Sequence, residues 1–229
     1  MIEAMYKLLV FDWDGTLMDS EAGIITCMQA AFRDLNMEEP TPDSVRNIIG
    51  LGLKEAVDAI LPETDDPLLG DKLVESYRDN FLNKNIEKSE LFPAVEETLT
   101  DLEQKGYLLA VATGKGRSGL DKVLNDTGLG HYFIATRCAS ETFSKPHPQM
   151  LNELIEYAGV EPSQALMIGD TEYDLLMANN AGTDSLAVSY GVHAVERLLQ
   201  HEPVACIDAI HDLPGCLNSL TPQQIKVPG

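Results

Sequence analysis

Apolar, β-branched-rich runs recur along the chain at Lys7–Phe11, Tyr107–Ala112, Ala165–Ile168, Ser185–Val188 and Val204–Ile207, with a weaker one at Tyr132–Thr136. The segments between them carry the other period. Leu120, Val123 and Leu124 share a helix face in one, and Leu151, Leu154, Ile155 and Ala158 in the next. Short buried strands alternating with amphipathic helices predict an α/β architecture, a mainly parallel sheet covered on both faces. In such a sheet ligands bind outside the carboxyl ends of the strands, where Asp12, Thr113 and Asp170 follow their apolar runs.

From about Met18 to about Lys88 the alternation stops and no convincing strand is legible. Ile24, Met28, Phe32 and Leu35 share one helix face there, and Lys54–Leu61 and Leu69–Leu82 also read as helices. Gly50-Leu51-Gly52 and Pro62–Pro67 break them. The pattern predicts a helical unit, residues 18–88, inserted into a core made of 1–17 and 89–229, and placed to act as a lid with hinges near Met18–Asp19 and Lys88–Leu91. The tail Thr221–Gly229 reads as frayed.

With 44% hydrophobic residues over 229 positions, the chain can bury its cores without disulfides or a structural metal. Its net charge of −21 disfavours binding to nucleic acid or to an anionic membrane. A small phosphorylated metabolite can still bind where a cation, a lysine and oriented amides reverse the local field. Cys27, Cys138, Cys206 and Cys216 show neither Cys-x-x-Cys nor zinc spacing and read as reduced core thiols. No leader pattern or membrane-length apolar run is present, so a cytoplasmic location is expected. The oligomeric state is open.

Four polar elements sit at strand ends. Leu8–Phe11 delivers Asp12-Trp13-Asp14-Gly15-Thr16, two carboxylates one residue apart that need a compensating partner, most simply a divalent cation. Thr113 is followed by Gly114-Lys115-Gly116 at a helix start, an arrangement that presents a hydroxyl and free amides to an anion. Lys145 precedes Pro146 and Pro148, which stiffen its segment. Met167-Ile168-Gly169-Asp170 ends another apolar run, with Asp174 one helical turn later. Taken singly, each has a bland reading: turn aspartates, a threonine cap, a surface lysine, helix-start acids. His131, His201 and His211 read as structural or solvated, and His147 as a loop residue close to Lys145.

Together and in this order, the four elements resemble the haloacid dehalogenase superfamily of phosphohydrolases across nearly the whole chain. The inserted helices, with Val45-Arg46-Asn47-Ile48-Ile49-Gly50-Leu51-Gly52, are similar to the small cap of its phosphoglycolate phosphatase-like branch. The resemblance implies a doubly wound, Rossmann-like core and a Mg2+-dependent phosphatase acting on phosphoglycolate or a similar phosphomonoester. It makes Asp12 the nucleophile that forms an aspartyl-phosphate, and Asp14 the acid that protonates the leaving oxygen and then activates water. Thr113 and the amides near Trp13 and Gly114 would hold phosphoryl oxygens, and Lys145 would bridge nucleophile and phosphate. Asp170, Asp12 and the Asp14 backbone carbonyl would hold the metal, supported by Asp174. Gly50, Arg46 and Lys54 are the cap candidates for the rest of the substrate, although an ordinary turn with solvated basic side chains fits them equally.

Three rivals are weaker. A phosphomutase of the same family would return the phosphoryl group to another hydroxyl. A dinucleotide-binding oxidoreductase would use Gly114-Lys115-Gly116-Arg117-Ser118-Gly119 with Glu141 as the ribose acid, but leaves the acidic motifs at both ends unexplained. A phospho-receiver domain would need neither the insertion nor an acidic motif after the lysine.

Overall fold

A computed structural model of the chain describes residues 5–84 and 89–220. The tail Thr221–Gly229 and Lys88, the start of the second expected hinge, lie outside the described residues.

Every apolar run read above becomes a strand: β1 (Leu8–Phe11), β4 (Leu108–Thr113), β5 (Phe133–Cys138), β6 (Ala165–Gly169), β7 (Asp184–Val188) and β8 (Ala205–Ile207). They form one parallel sheet in the order β5-β4-β1-β6-β7-β8. The doubly wound fold follows from the two-residue period of these strands. Leu9, Phe11, Val111 and Ile168 point to one face, and there they meet Leu99 and Leu102 of α5 (Val95–Gln104) and Leu120 of α6 (Arg117–Thr127). On the other face Leu8, Val10, Ala110 and Met167 meet Leu151 and Leu154 of α7 (Gln149–Ala158) and Met177 of α8 (Glu172–Ala181). β1 is flanked by β4 and β6, so the chain leaves it toward one sheet edge and later returns to its other side. That reversal opens the crevice in which such sheets bind ligands. Phe11 pairs with Val111 and with Ile168, so Asp12, Thr113 and Asp170 emerge at nearly one level.

The insertion contains α1 (Glu21–Asp34), α2 (Pro42–Arg46), α3 (Leu53–Ile60) and α4 (Leu69–Asp79), the last continued by a π-helical turn at Asn80–Lys84. Met28, Phe32, Val45, Val57 and Leu73 pack into an apolar cluster of their own. α2 was not legible as a helix, since five residues show no period; Thr41 starts it by accepting the Ser44 amide at 3.1 Å. One expectation needs correcting: the segment does hold a strand, β2 (Met18–Asp19), which pairs antiparallel with β3 (Glu90–Leu91). Two residues are too few to display alternation. The ribbon they form ties the entry of the insertion to its exit, where the two hinges were expected.

Candidate active site

The Asp12 amide donates to the Ile168 carbonyl at 2.9 Å and so extends the β1–β6 ladder one residue beyond the strand. This fixes a carboxylate that is 1% exposed. The next amide, of Trp13, donates to Asp12 Oδ1 at 2.6 Å, while the Trp13 indole turns away to Met18 Sδ and the edge of Phe133. Gly15 then takes φ +78°, and a Cβ there would lie 2.1 Å from Asp170 Oδ2. Only glycine lets the first motif close on the last. Thr16 Oγ1 donates to Asp170 Oδ1 and the Val192 amide to Asp170 Oδ2, each at 2.9 Å.

Lys145, fully buried, reaches from the far side of the sheet end. Its Nζ lies 2.9 Å from Asp12 Oδ1 and 2.6 Å from Asp174 Oδ1. These are ion pairs by distance, without the alignment of directed hydrogen bonds. Asp174 is anchored by its other oxygen, which accepts from the Thr171 amide at 3.1 Å and the Thr171 hydroxyl at 2.7 Å. Asp12, Asp170 and Asp174 thereby offer carboxylate oxygens within 4.8 Å of one another.

Burial drives the Asp12 carboxyl upward more strongly than Lys145 pulls it down; with repulsion from Asp174 and Asp14 it settles at about 7. Asp170 is held well above the usual carboxylate range, first by burial and then by Asp174 and Asp12. Burial also works against the Lys145 ammonium, but Asp12 and Asp174 outweigh it and keep the lysine charged. Three carboxylates against one ammonium leave a buried anionic excess that one divalent cation would cancel. The donor set fits a hard cation: all-oxygen, closely grouped, with Asp12 Oδ2 buried and lacking a hydrogen-bond partner.

The Asp14 carboxylate is not part of this group. It accepts from Ser20 Oγ and is paired with Lys115 Nζ at 2.9 Å. Asp12 and Asp14 both line a cavity of about 380 Å3 that runs up to the inserted helices, while their carboxylates are held by different partners. Thr113 is fully buried at the strand end, its Oγ1 accepting the Lys115 amide at 3.2 Å. Gly114 touches the cap, where a Cβ would lie 2.3 Å from the Leu51 carbonyl.

Among the cap candidates, Gly50 and Lys54 line the cavity and Arg46 does not. The Arg46 guanidinium is occupied by Glu21 at 2.6 Å and by Asp43. Gly50, at φ +101°, brings its backbone against the Thr171 side chain, and the Gly52 amide donates to Ser144 Oγ at 2.7 Å. The Gly-Leu-Gly segment thus also docks the cap on the core.

Sequence reasoning missed several participants. Lys115 stood out only as a variable position in a glycine pattern, and the glycine pattern's rival acid, Glu141, is paired with Arg117 at 2.8 Å. Thr16 belongs to the first motif but its contact with Asp170 was not foreseen, and Ser20 and Thr171 act through contacts that no single-sequence pattern marks. His193 was not singled out at all, yet it is 4% exposed and accepts the Glu172 amide at Nδ1; burial lowers it to about 4, so it is neutral at pH 7. His147 stays in its loop, its ring tilted by 41° against that of Phe143.

Over residues 9–188 the chain matches the sequence profile of the haloacid dehalogenase-like hydrolases. It is 34% identical over 221 residues to the probable phosphatase IndB of Dickeya dadantii, a match covering 94% of this chain and 95% of that one. It is likewise 34% identical over 221 residues to a phosphoglycolate phosphatase of Vibrio vulnificus, covering 93% and 96%. In three dimensions it is similar to a predicted phosphoglycolate phosphatase from Haemophilus somnus, with a TM-score of 0.84 and 26% identity, covering 93% of this chain and 99% of that one.

Proposed function

This chain belongs to the haloacid dehalogenase-like hydrolases and is a phosphatase of the phosphoglycolate phosphatase-like branch; on that premise we propose that it hydrolyses phosphoglycolate or a similar small phosphomonoester through an aspartyl-phosphate, with Mg2+ as cofactor. The observation that carries the reading is the buried group Asp12, Asp170 and Asp174, with Lys145 bridging Asp12 and Asp174, and with Asp12 lining a cavity that Asp14 also faces.

In this reading an Asp12 carboxylate oxygen attacks phosphorus, the bond to the leaving oxygen breaks, and Asp14 delivers its proton to that oxygen. Asp14, now ionised, takes a proton from water, which attacks the acyl phosphate and frees Asp12 and inorganic phosphate. Ser20 and Lys115 hold the Asp14 carboxylate in place for both transfers. Thr113 and the amides of Trp13 and Gly114 orient the phosphoryl oxygens, and Lys145 neutralises the approach of two anions. Mg2+ held by Asp12, Asp170 and the Asp14 carbonyl, with Asp174 in support, would supply the remaining positive charge. Residues 18–88 serve as the cap and 1–17 with 89–229 as the core. A cytoplasmic location is part of the proposal, in keeping with four free thiols; among the described residues no helix is long and apolar enough to cross a membrane.

The test is phosphatase activity on a generic phosphomonoester, wild type against Asp12→Asn, with and without a chelator. Activity that chelation abolishes, Mg2+ restores and the substitution removes is expected. Near-native turnover by Asp12→Asn refutes the covalent route, and undiminished activity in metal-free protein refutes the cofactor.

A further inference from the structure

The cavity above Asp12 and Asp14 has a volume of about 380 Å3, within the range that encloses drug-sized ligands and far more than a two-carbon acid fills. Its cap side is an apolar wall built from Ile24, Met28, Ile48, Tyr77 and Phe81. Tyr77 and Phe81 stand four residues apart with their rings within 4° of parallel and centroids 6.3 Å apart. Phe81 belongs to the π-helical turn after α4, and that turn is pinned by Asn80, a buried side chain donating to Asp34 at 2.9 Å and to the Ser76 carbonyl at 2.8 Å. From the core side, the Lys115 ammonium lies 4.6 Å over the Phe81 ring, so the wall is tied to the residue that also holds Asp14.

The charges around this wall do not suit a second anion. The Lys115 ammonium is held between Asp14 and the Phe81 ring, and Arg46 is taken up by Glu21 and Asp43. Lys54 and Arg78 also line the cavity, but both are exposed to solvent, and Glu55 lines it beside Lys54. A carboxylate pressed against the apolar wall would lose water and find only solvent-exposed cations at the rim, whereas an apolar group there gains burial.

We infer that the cap half of the cavity selects phosphomonoesters whose alcohol carries an apolar ring, lodged against Tyr77 and Phe81, in preference to the two-carbon acid phosphoglycolate. The inference rests on the phosphatase reading above. It assigns the phosphoryl group to the floor and the ring to the wall, with Lys115 between them.

The experiment compares kcat/KM for 2-phenylethyl phosphate, ethyl phosphate and 2-phosphoglycolate, with p-nitrophenyl phosphate as a generic substrate. The first two release alcohols of similar acidity, so their ratio reads recognition of the ring. Burial of the ring predicts a preference for 2-phenylethyl phosphate of about 50-fold over ethyl phosphate, and 2-phosphoglycolate is expected to be the poorer substrate as well. Phe81→Ala should shrink the ratio to roughly fivefold. Ile24→Lys, which adds a cation to the wall without removing an aromatic ring, should move the ratio toward 2-phosphoglycolate by roughly tenfold. Faster turnover of 2-phosphoglycolate by the wild type, or ratios that neither substitution moves, overturns the inference. Cleavage of p-nitrophenyl phosphate without any ring preference defeats this inference alone, whereas failure to cleave any of the four esters defeats the phosphatase reading and the inference with it.

Discussion

Replacing Asp170 by Asn should make the metal-free protein more stable while removing its response to Mg2+. Asp12, Asp170 and Asp174 offer oxygens within 4.8 Å of one another. At that separation and an effective dielectric near 20, each ionised pair repels by about 3 kcal/mol. Asp170 takes part in two such pairs, while Lys145 sits against the other two carboxylates. Asparagine removes the repulsion and retains an acceptor for one of the two hydrogen bonds from Thr16 and Val192, losing about 1–3 kcal/mol for the other. Because the wild type already relieves part of the repulsion by holding protons, the net gain is smaller than the full Coulomb term. About 2 kcal/mol is expected near pH 8, or roughly 4–8 °C in Tm for a chain of this size. The pH dependence follows from the raised carboxyls. The folded metal-free protein binds protons that the unfolded chain releases, so its stability falls as pH rises from the ordinary carboxylate value toward about 7, where Asp12 titrates. The advantage of Asn should therefore be small at pH 4 and grow as the pH rises. Mg2+ at a hundredfold excess over its Kd should add about 2.7 kcal/mol to the wild type and nothing comparable to the variant. Thermal melts in chelator and in Mg2+ at several pH values measure both effects. A variant that melts below the wild type in chelator at pH 8, or that Mg2+ stabilises equally, would refute the electrostatic reading of the site.

Lys145→Met keeps the volume but strands two buried carboxylates; it should lower metal-free stability by about 3–5 kcal/mol and abolish turnover, as read by chemical denaturation and a phosphate-release assay. Lys54→Ala should change KM for the preferred ester more than Arg46→Ala does, because only Lys54 lines the cavity; an equal shift in both would contradict that placement. Tyr173→Phe deletes the 2.6 Å hydrogen bond to the Asn47 carbonyl that joins core to cap, and should raise KM roughly two- to fivefold with faster amide exchange around Asn47.

The core was legible because its central strands, such as β1 and β6, are buried on both faces, and such runs announce themselves whatever their partners. The ends of the site were legible for a related reason. Asp12 and Asp170 are charges delivered by apolar strands, a conflict that local structure alone does not explain. Lys115, Ser20, Thr16 and His193 had no such mark. Each is an ordinary polar residue in a loop or at a helix end, and its role arises from contacts with residues distant in sequence or across a turn, such as Thr16 with Asp170. Arg46 illustrates the reverse error, a basic residue beside a glycine turn whose charge is spent on Glu21, 25 positions earlier. The β2–β3 ribbon escaped because its pairing partner lies beyond the whole insertion.

The first turn of α8 joins the two halves of the site. Asp170 and Asp174 turn inward to the buried cluster, while Tyr173 between them reaches the inserted segment. Tyr173 donates to the Asn47 carbonyl, and Glu172 holds Arg197, which donates to Asn47 Oδ1 at 2.9 Å. The Arg197 hydrogen bond also lowers the Glu172 carboxyl to about 2, so this contact persists at the pH near 7 where Asp12 titrates. The Glu172 amide meanwhile donates to His193, whose own amide returns to the Asp170 carbonyl. A shift of Asp170 or Asp174 on gaining or losing a cation would have to move the same helical turn that carries Tyr173 and Glu172. The segment from Asp170 to Asp174 thus carries both the buried carboxylates and the contacts to Asn47, so the two halves of the site share one short stretch of backbone.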